Sequence, residues 1–85
     1  MKLESATVTF KSSEAWYEIE CQGYKPSTVR LMSPVDYLQL AEYDPTHITI
    51  QKGDDEGTCF TRTVKSIYQL GEMLGTAVVI VSWEE

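Results

Sequence analysis

Only a few side chains of this 85-residue sequence are suited to catalysis. His47 is the single histidine, and it falls on the polar side of an alternating segment, where exposure to solvent is the ordinary outcome. Cys21 and Cys59 fall on strand positions that we expect to be buried or half-buried, and the sequence fixes no cation beside either that would lower a thiol pKa. Walker, GxSxG, HExxH and CxxC motifs are absent from the sequence. We therefore expect no enzymatic activity, no cofactor, no metal site and no disulfide; an enzyme would need carboxylates brought beside His47.

Aromatic and acidic side chains form a more suggestive pattern. If the stretch EAWYEIECQ, residues 14–22, is a β-strand, one of its faces carries a tryptophan and three glutamates: Glu14, Trp16, Glu18 and Glu20. The C-terminal SWEE repeats this combination with Trp83, Glu84 and Glu85. The loop GDDEG adds three more acids, Asp54, Asp55 and Glu56, as a solvated hairpin tip. These ten residues are the predicted partner-binding set.

Two interpretations of the first tryptophan are open. In the structural one, Trp16 is covered by the chain itself, for example by Trp83 or by the aliphatic stems of Lys11 and Arg30. In the functional one, Trp16 is an interface anchor with a charged rim. Guanidinium groups stack on indole and pair with carboxylates, so the second interpretation favours an arginine-rich partner surface.

The charge balance bears on the class of partner. The sequence holds 7 basic and 13 acidic residues, a net charge of −6. Nucleic acids and anionic membranes both attract proteins through Lys and Arg, so we expect direct binding to neither. Complementary fields speed encounter, which favours a basic protein as partner. The alternative is that the acidity only keeps a small domain soluble.

The N-terminal stretch MKLESATVTF lacks the apolar segment of a secretory signal, and the longest apolar run, residues 77–81, is too short to span a bilayer. With only two cysteines, we expect a cytoplasmic location.

The first half of the chain predicts three strands and a helix. Residues 5–10 and 14–21 form a hairpin around the loop KSSE, with Phe10 opposite Ala15, Val8 opposite Tyr17 and Ala6 opposite Ile19, all apolar pairs. A short strand follows at residues 28–32. A helix then begins after the N-cap Ser33 and runs over residues 34–42. It is expected to bury three apolar side chains: Val35, Leu38 and Ala41.

The second half predicts a hairpin, a helix and a closing strand. Residues 46–51 alternate with Ile48 and Ile50 inward, and the returning strand TCFTR places Phe60 opposite Ile50. A second helix starts at residue 63 or 66 and ends at Gly75, with a buried stripe of Val64, Ile67, Leu70 and Leu74. The β-branched run TAVVIVSW reads as a central strand buried on both faces.

Residues 1–85 therefore form a single α+β domain of order β-β-β-α-β-β-α-β, a mainly antiparallel or mixed sheet with two helices packed on one face. For so small and acidic a chain we expect a non-enzymatic inhibitor that occupies a basic surface of a nuclease or another nucleic-acid-binding protein. Phage anti-defence proteins, including anti-CRISPR proteins, and bacterial immunity proteins share this profile of size and charge. The alternative is a structural or assembly subunit that homodimerises through a sheet edge.

Overall fold

The protein is a mixed β-sheet with two helices, seen in a computed structural model that describes residues 1–23 and 25–84. In chain order the elements within these residues are β1 Lys2–Glu4, β2 Thr7–Ser12, α1 Glu14–Cys21, β3 Ser27–Met32, α2 Pro34–Tyr43, β4 His47–Lys52, β5 Asp55–Met73 and β6 Thr76–Trp83. The strands lie in the order β1-β2-β4-β5-β6-β3. β2 and β4 are parallel, and the other neighbours are antiparallel. The predicted α+β class is confirmed, whereas the element order is β-β-α-β-α-β-β-β.

β5 is a 19-residue strand that belongs to both halves of the sheet. Its first half pairs with β4 and its second half pairs with β6. The predicted pairing of Ile50 with Phe60 is confirmed. A register shift after Gln51 pairs Lys52 with Asp55, so the hairpin turn is shorter than the expected GDDEG loop.

The predicted N-terminal hairpin is wrong, because residues 14–21 form the helix α1. β2 pairs instead with the short β1, with Leu3 opposite Val8, through a turn in which Ser5 and Ala6 both have positive φ. Glutamate and alanine are good helix formers, and Ser13 occupies the N-cap position. The helix buries Tyr17 against the sheet. The alternation that suggested a strand covers only eight residues, which is too few to distinguish a strand from a short helix.

The second predicted helix is also wrong, because residues 63–73 continue β5. The register of β5 against β6 shifts between Val64 and Ser66 and again between Gln69 and Gly71. Each shift inserts one residue into the strand, as a β-bulge does. Val64 and Ile67 therefore both pack against the core although they are three residues apart, which imitates helical periodicity. The other two residues of the expected stripe, Leu70 and Leu74, are exposed.

α2 forms where the sequence predicts it, and the Asp36 N–H donates to the Ser33 hydroxyl at 3.1 Å. Its predicted buried face is wrong: Leu40 is buried, whereas Val35, Leu38 and Ala41 are exposed. Among the residues described, neither helix has the length and apolar character needed to cross a membrane.

One apolar cluster holds the sheet and both helices together. Tyr17 from α1 and Leu40 from α2 pack into it, so both helices lie on the same face of the sheet. The predicted architecture also had two helices on one face, but α2 is the one of the two that forms where it was predicted. Phe60 packs in it between two other aromatic rings, with its ring centroid 5.5 Å from that of Tyr17 and 5.8 Å from that of Trp83. Such aromatic pairs each stabilise a core by about 0.5–1.5 kcal/mol beyond the area they bury. β6 is central in its half of the sheet, but it is fully buried only on the face that the helices cover.

Candidate functional site

α1 separates the predicted partner-binding residues onto different sides, because successive helical residues are rotated by about 100°. Glu14 and Glu18, four residues apart, face the β4–β5 turn and flank Lys52. Trp16 lies on another side of the helix, toward Lys25. The expectation that the indole shares one face with all three glutamates is therefore wrong for Glu14 and Glu18, whereas Glu20 lines the same cavity as Trp16. The role of these residues in binding remains a prediction.

The carboxylates that do come together form what we call the acidic end. It consists of five residues from α1, the β4–β5 turn and the start of β5: Glu14, Glu18, Asp54, Asp55 and Glu56. Two lysines join them. Lys52 Nζ lies 3.6 Å from a Glu14 oxygen and 3.3 Å from a Glu18 oxygen, and Lys11 Nζ lies 2.9 Å from Asp54 Oδ1. Five carboxylates minus two ammonium groups leave a net charge of −3 at the acidic end.

Local hydrogen bonds shift the pKa of four groups at the acidic end, each in the direction that favours its charged form. The hydrogen bond from Lys11 lowers the pKa of Asp54 and raises that of Lys11. The hydrogen bond to Glu18 raises the pKa of Lys52. The Asp55 carboxylate accepts from the Thr58 hydroxyl at 2.6 Å, which is the main reason that its pKa is lowered. Since exposed ion pairs contribute little to stability, these groups can exchange their present partners for those of another molecule.

Trp16 is the exposed tryptophan, with 54% of its surface accessible to solvent. The Lys25 ammonium lies 5.4 Å from its ring centroid, within the range of a cation–π contact. A small cavity of about 170 Å³ opens beside the ring, and we call it the Trp16 cavity. Its lining includes three cationic residues, Lys11, Lys25 and Arg30. The surroundings of this indole are therefore basic, the reverse of the acidic rim that the sequence suggested.

Glu20 is the member of the predicted set that is buried, with 4% of its surface exposed. Its carboxylate accepts a hydrogen bond from the Ser12 hydroxyl at 2.8 Å, and Ser12 in turn accepts one from Arg30. Arg30 also donates to the Lys11 carbonyl at 2.7 Å and to the Thr28 hydroxyl at 3.0 Å. This network ties the edge strand β3 to β2 and α1. Burial lowers the pKa of Arg30, while the nearby Glu20 charge opposes that shift.

The remaining members of the predicted set lie apart from the acidic end. Trp83 is 3% exposed and packs edge-on against Phe60, so its indole is not a surface anchor. Glu84 is exposed, and its backbone N–H donates to the Thr63 carbonyl at 2.9 Å. Glu85 lies outside the described residues.

The residues considered for chemistry are dispersed. His47 is exposed as predicted, with Nδ1 2.8 Å from the Thr46 hydroxyl. Cys21 is half-buried, but Cys59 is exposed, contrary to expectation, because it occupies the face of β5 that the helices leave open. Within residues 1–23 and 25–84, no group of three or more His, Cys, Asp and Glu side chains is placed to hold a metal ion.

A second surface, which the sequence reasoning missed, is the face of β3, β6 and β5 turned away from the helices. We call it the apolar face; its residues lie in three cross-strand rows, Ser27–Ser82–Ser66, Val29–Ile80–Tyr68 and Leu31–Val78–Gly71. All nine of these described positions are uncharged. Val29 is 48% exposed and Leu31 is 65% exposed. The alternation of β3 was the available signal, since Val29 and Leu31 had to face opposite to Thr28 and Arg30.

Comparison of the chain with protein-family models, with curated proteins and with solved structures gives no match.

Proposed function

We propose that this protein is a non-enzymatic protein-binding module whose acidic end occupies a basic, nucleic-acid-binding surface of a partner protein and so inhibits that partner. The observation that carries the proposal is the grouping of five carboxylates near Lys11 and Lys52: Glu14, Glu18 and Asp54 pair with these lysines, and the charges of Asp55 and Glu56 lie close enough to act on them. A surface of net negative charge placed where phosphates normally bind excludes nucleic acid by occupancy and by repulsion. We place this activity in a reducing cytoplasm, since Cys21 and Cys59 are both free thiols.

The sequence suggested that Trp16 anchors the interface, but in this proposal the indole does not take part in recognition of the partner. Because Trp16 lies away from Glu14 and Glu18 and is already covered in part by Lys25, recognition rests on the carboxylates. Charge-led recognition of this kind weakens steeply with salt, because the Debye length falls from about 10 Å at 0.1 M to about 3 Å at 1 M.

The test is capture of partners from a host lysate at low and high salt, with two charge-matched variants. Glu18→Lys with Glu56→Lys reverses two charges of the acidic end. Glu42→Lys with Glu72→Lys makes the same change in net charge at exposed positions outside it. We expect a basic, nucleic-acid-binding protein to be captured at low salt, lost at high salt, lost with the first variant and retained with the second.

The captured protein is then assayed for nucleic-acid binding with and without this chain. Competition between the chain and the nucleic acid supports inhibition by occupancy. Equal loss of capture in both charge variants would show non-specific attraction to any acidic surface, and capture indifferent to salt would remove the proposed role of the acidic end.

A second candidate function is an assembly subunit, and the apolar face is the observation that favours it. β3 is an edge strand, and alternate backbone N–H and C=O groups of an edge strand are free to pair with another chain. Because the Trp83 N–H bonds to the Pro26 carbonyl, the even-numbered residues of β3 point their backbone groups toward β6. The backbone groups of Ser27, Val29 and Leu31 consequently point outward, next to the exposed side chains of the apolar face.

Sedimentation separates this candidate from the first. A homodimer formed through β3 and the apolar face predicts a concentration-dependent shift that Leu31→Glu abolishes. Leu38→Glu on α2 is the control, since Leu38 is 58% exposed but lies on the opposite side of the sheet. A monomer at all concentrations eliminates the assembly function and leaves the acidic end untouched.

A further inference from the structure

The Trp16 cavity concentrates positive charge in an acidic protein. Three of the seven basic residues of the chain line it, although the whole sequence carries a net charge of −6. Lys11, Lys25 and Arg30 reach the cavity from β2, from the segment before β3, and from β3 itself. Glu20 is the acidic residue of the lining, so Lys25, Arg30 and Glu20 leave a net charge of +1. Lys11 shares its charge with Asp54, which leaves Lys25 and Arg30 as the main sources of the positive field.

Arg30 has hydrogen-bonding capacity left over. A guanidinium group carries five N–H donors. Among the residues described, three of these donate, to Thr28, to the Lys11 carbonyl and to Ser12. Two donors remain on a side chain that is partly withdrawn from water and fixed by its other bonds. A positioned guanidinium with two free donors is the group that proteins use to bind phosphate oxygens.

The rest of the lining supplies further donors and an aromatic surface. Ser13 lies at the N-cap position of α1, but its hydroxyl does not cap the helix, so it is available to a ligand in the cavity. The cavity volume of about 170 Å³ corresponds to the liquid volume of about six waters. It is well below the roughly 300–1,000 Å³ of sites that enclose a drug-sized ligand. The cavity therefore suits one anionic group, with any larger remainder outside against the exposed Trp16 ring.

We propose that the Trp16 cavity binds a phosphate group, held by Arg30 and Lys25, either as free phosphate or as part of a small molecule whose aromatic portion stacks on Trp16. Binding moves the Lys25 ammonium from the indole face toward the phosphate and leaves the ring available for stacking. A carboxylate is a poorer ligand, because it has only two acceptor oxygens. A phosphate group has at least three, so it can accept hydrogen bonds from donors on three sides of the cavity. This site does not depend on the inhibitory function proposed above, although Lys11 lies between the cavity and the acidic end.

Calorimetric titration with inorganic phosphate, AMP and adenosine tests the proposal, with tryptophan emission recorded in parallel. Emission reports on the cavity because Trp16 is exposed while Trp83 is 3% exposed. We expect phosphate and AMP to bind in the millimolar range or tighter, and adenosine, which lacks the phosphate, not to bind. Tighter binding of AMP than of phosphate, lost in Trp16→Ala, identifies a stacked aromatic portion; equal binding identifies phosphate alone.

Charge-matched variants locate the site. Lys25→Ala and Lys65→Ala change the net charge equally, and both lysines are exposed, but only Lys25 lines the cavity. Lys25→Ala should weaken phosphate binding about tenfold or more, as expected for the loss of a charged hydrogen bond, and Lys65→Ala should leave it unchanged. Arg30→Gln should abolish binding; if that variant fails to fold, Lys25→Ala decides alone. The proposal is overturned if neither phosphate nor AMP binds up to about 10 mM, or if both lysine variants weaken binding equally.

Discussion

Replacing Glu20 by glutamine tests whether the buried carboxylate network holds β3 against the rest of the fold. The substitution keeps the shape of the side chain and removes its charge. Hydrogen bonds to charged groups contribute about 1.5–3 kcal/mol and neutral ones about 0.5–1.5 kcal/mol. The 2.8 Å bond from Ser12 therefore loses about 1 kcal/mol. Arg30 also loses the negative charge nearest to its partly buried guanidinium. We expect Glu20→Gln to lower the free energy of unfolding by about 1–2 kcal/mol in total.

Thermal and guanidinium denaturation, followed by circular dichroism, measure this effect. For a domain of this size, 1 kcal/mol corresponds to about 4–8 °C in Tm. The control is Glu18→Gln on the same helix, whose half-exposed carboxylate meets Lys52 at 3.3 Å; it should cost less than about 0.5 kcal/mol. If the two variants are equally stable, Glu20 is hydrated rather than buried in the network, and the reasoning is refuted. The same substitution removes the negative charge from the Trp16 cavity, so it should tighten phosphate binding while it destabilises the fold.

Three further substitutions probe the core, the β5–β6 turn and the β4–β5 turn. Phe60→Ala should cost about 3–5 kcal/mol in a denaturant titration, because it removes a core ring that packs between two other aromatic rings; a loss below about 1 kcal/mol would contradict that placement. Leu74 is fully exposed with φ of 52°, so Leu74→Asn should raise stability by about 0.5–1 kcal/mol, and a lower Tm would show that this backbone geometry is incorrect. Asp55 has a lowered pKa in the folded protein, so its charge stabilises the fold above the unfolded value of about 3.9 and ceases to do so as the pH falls through the folded value. Asp55→Asn should therefore lower Tm at neutral pH and leave it unchanged in strong acid, whereas an equal loss at both pH values would exclude a charge effect.

The elements that the sequence predicted correctly are those whose signals are local and agree with one another. β4 alternates without interruption, and its inward Ile50 meets Phe60 as expected. α2 carries both a serine cap and a proline at its first helical position. In each case side-chain periodicity and end signals favoured the same structure.

The two wrong assignments have separate physical causes. In α1 the alternating acids imitate a strand. The spacing of Glu14 and Glu18, four residues apart, is also that of one side of a helix, where both reach Lys52. Since Lys52 is distant in sequence, this contact could not be foreseen. In β5 two register shifts give Val64 and Ile67 a helical spacing within an extended chain. The predicted buried face of α2 was wrong as well, since Val35 and Leu38 are apolar yet exposed. Hydrophobicity alone does not determine which side of a short helix packs against the sheet.

The candidate site was less predictable than the fold, because it depends on contacts between distant segments. The turn acids were identified from their composition, but their association with α1 follows from the parallel pairing of β2 with β4. The basic surroundings of Trp16 arise where α1, β2 and the start of β3 meet. Neighbours along the chain suggested an acidic rim, whereas the charged residues that line the cavity beside Trp16 are Glu20 and three cationic residues.

The continuity of β5 couples the unfolding of the two halves of the sheet. Since one strand supplies hydrogen bonds to β4 through its first half and to β6 through its second, neither half of the sheet can open and leave the other intact at the junction. Val64 lies where the two ladders meet, and its N–H donates to the Thr46 carbonyl at 2.9 Å, so it should be among the last residues to exchange their amide hydrogens with deuterated solvent. We accordingly expect the molecule to unfold as one cooperative unit without a stable half-sized fragment.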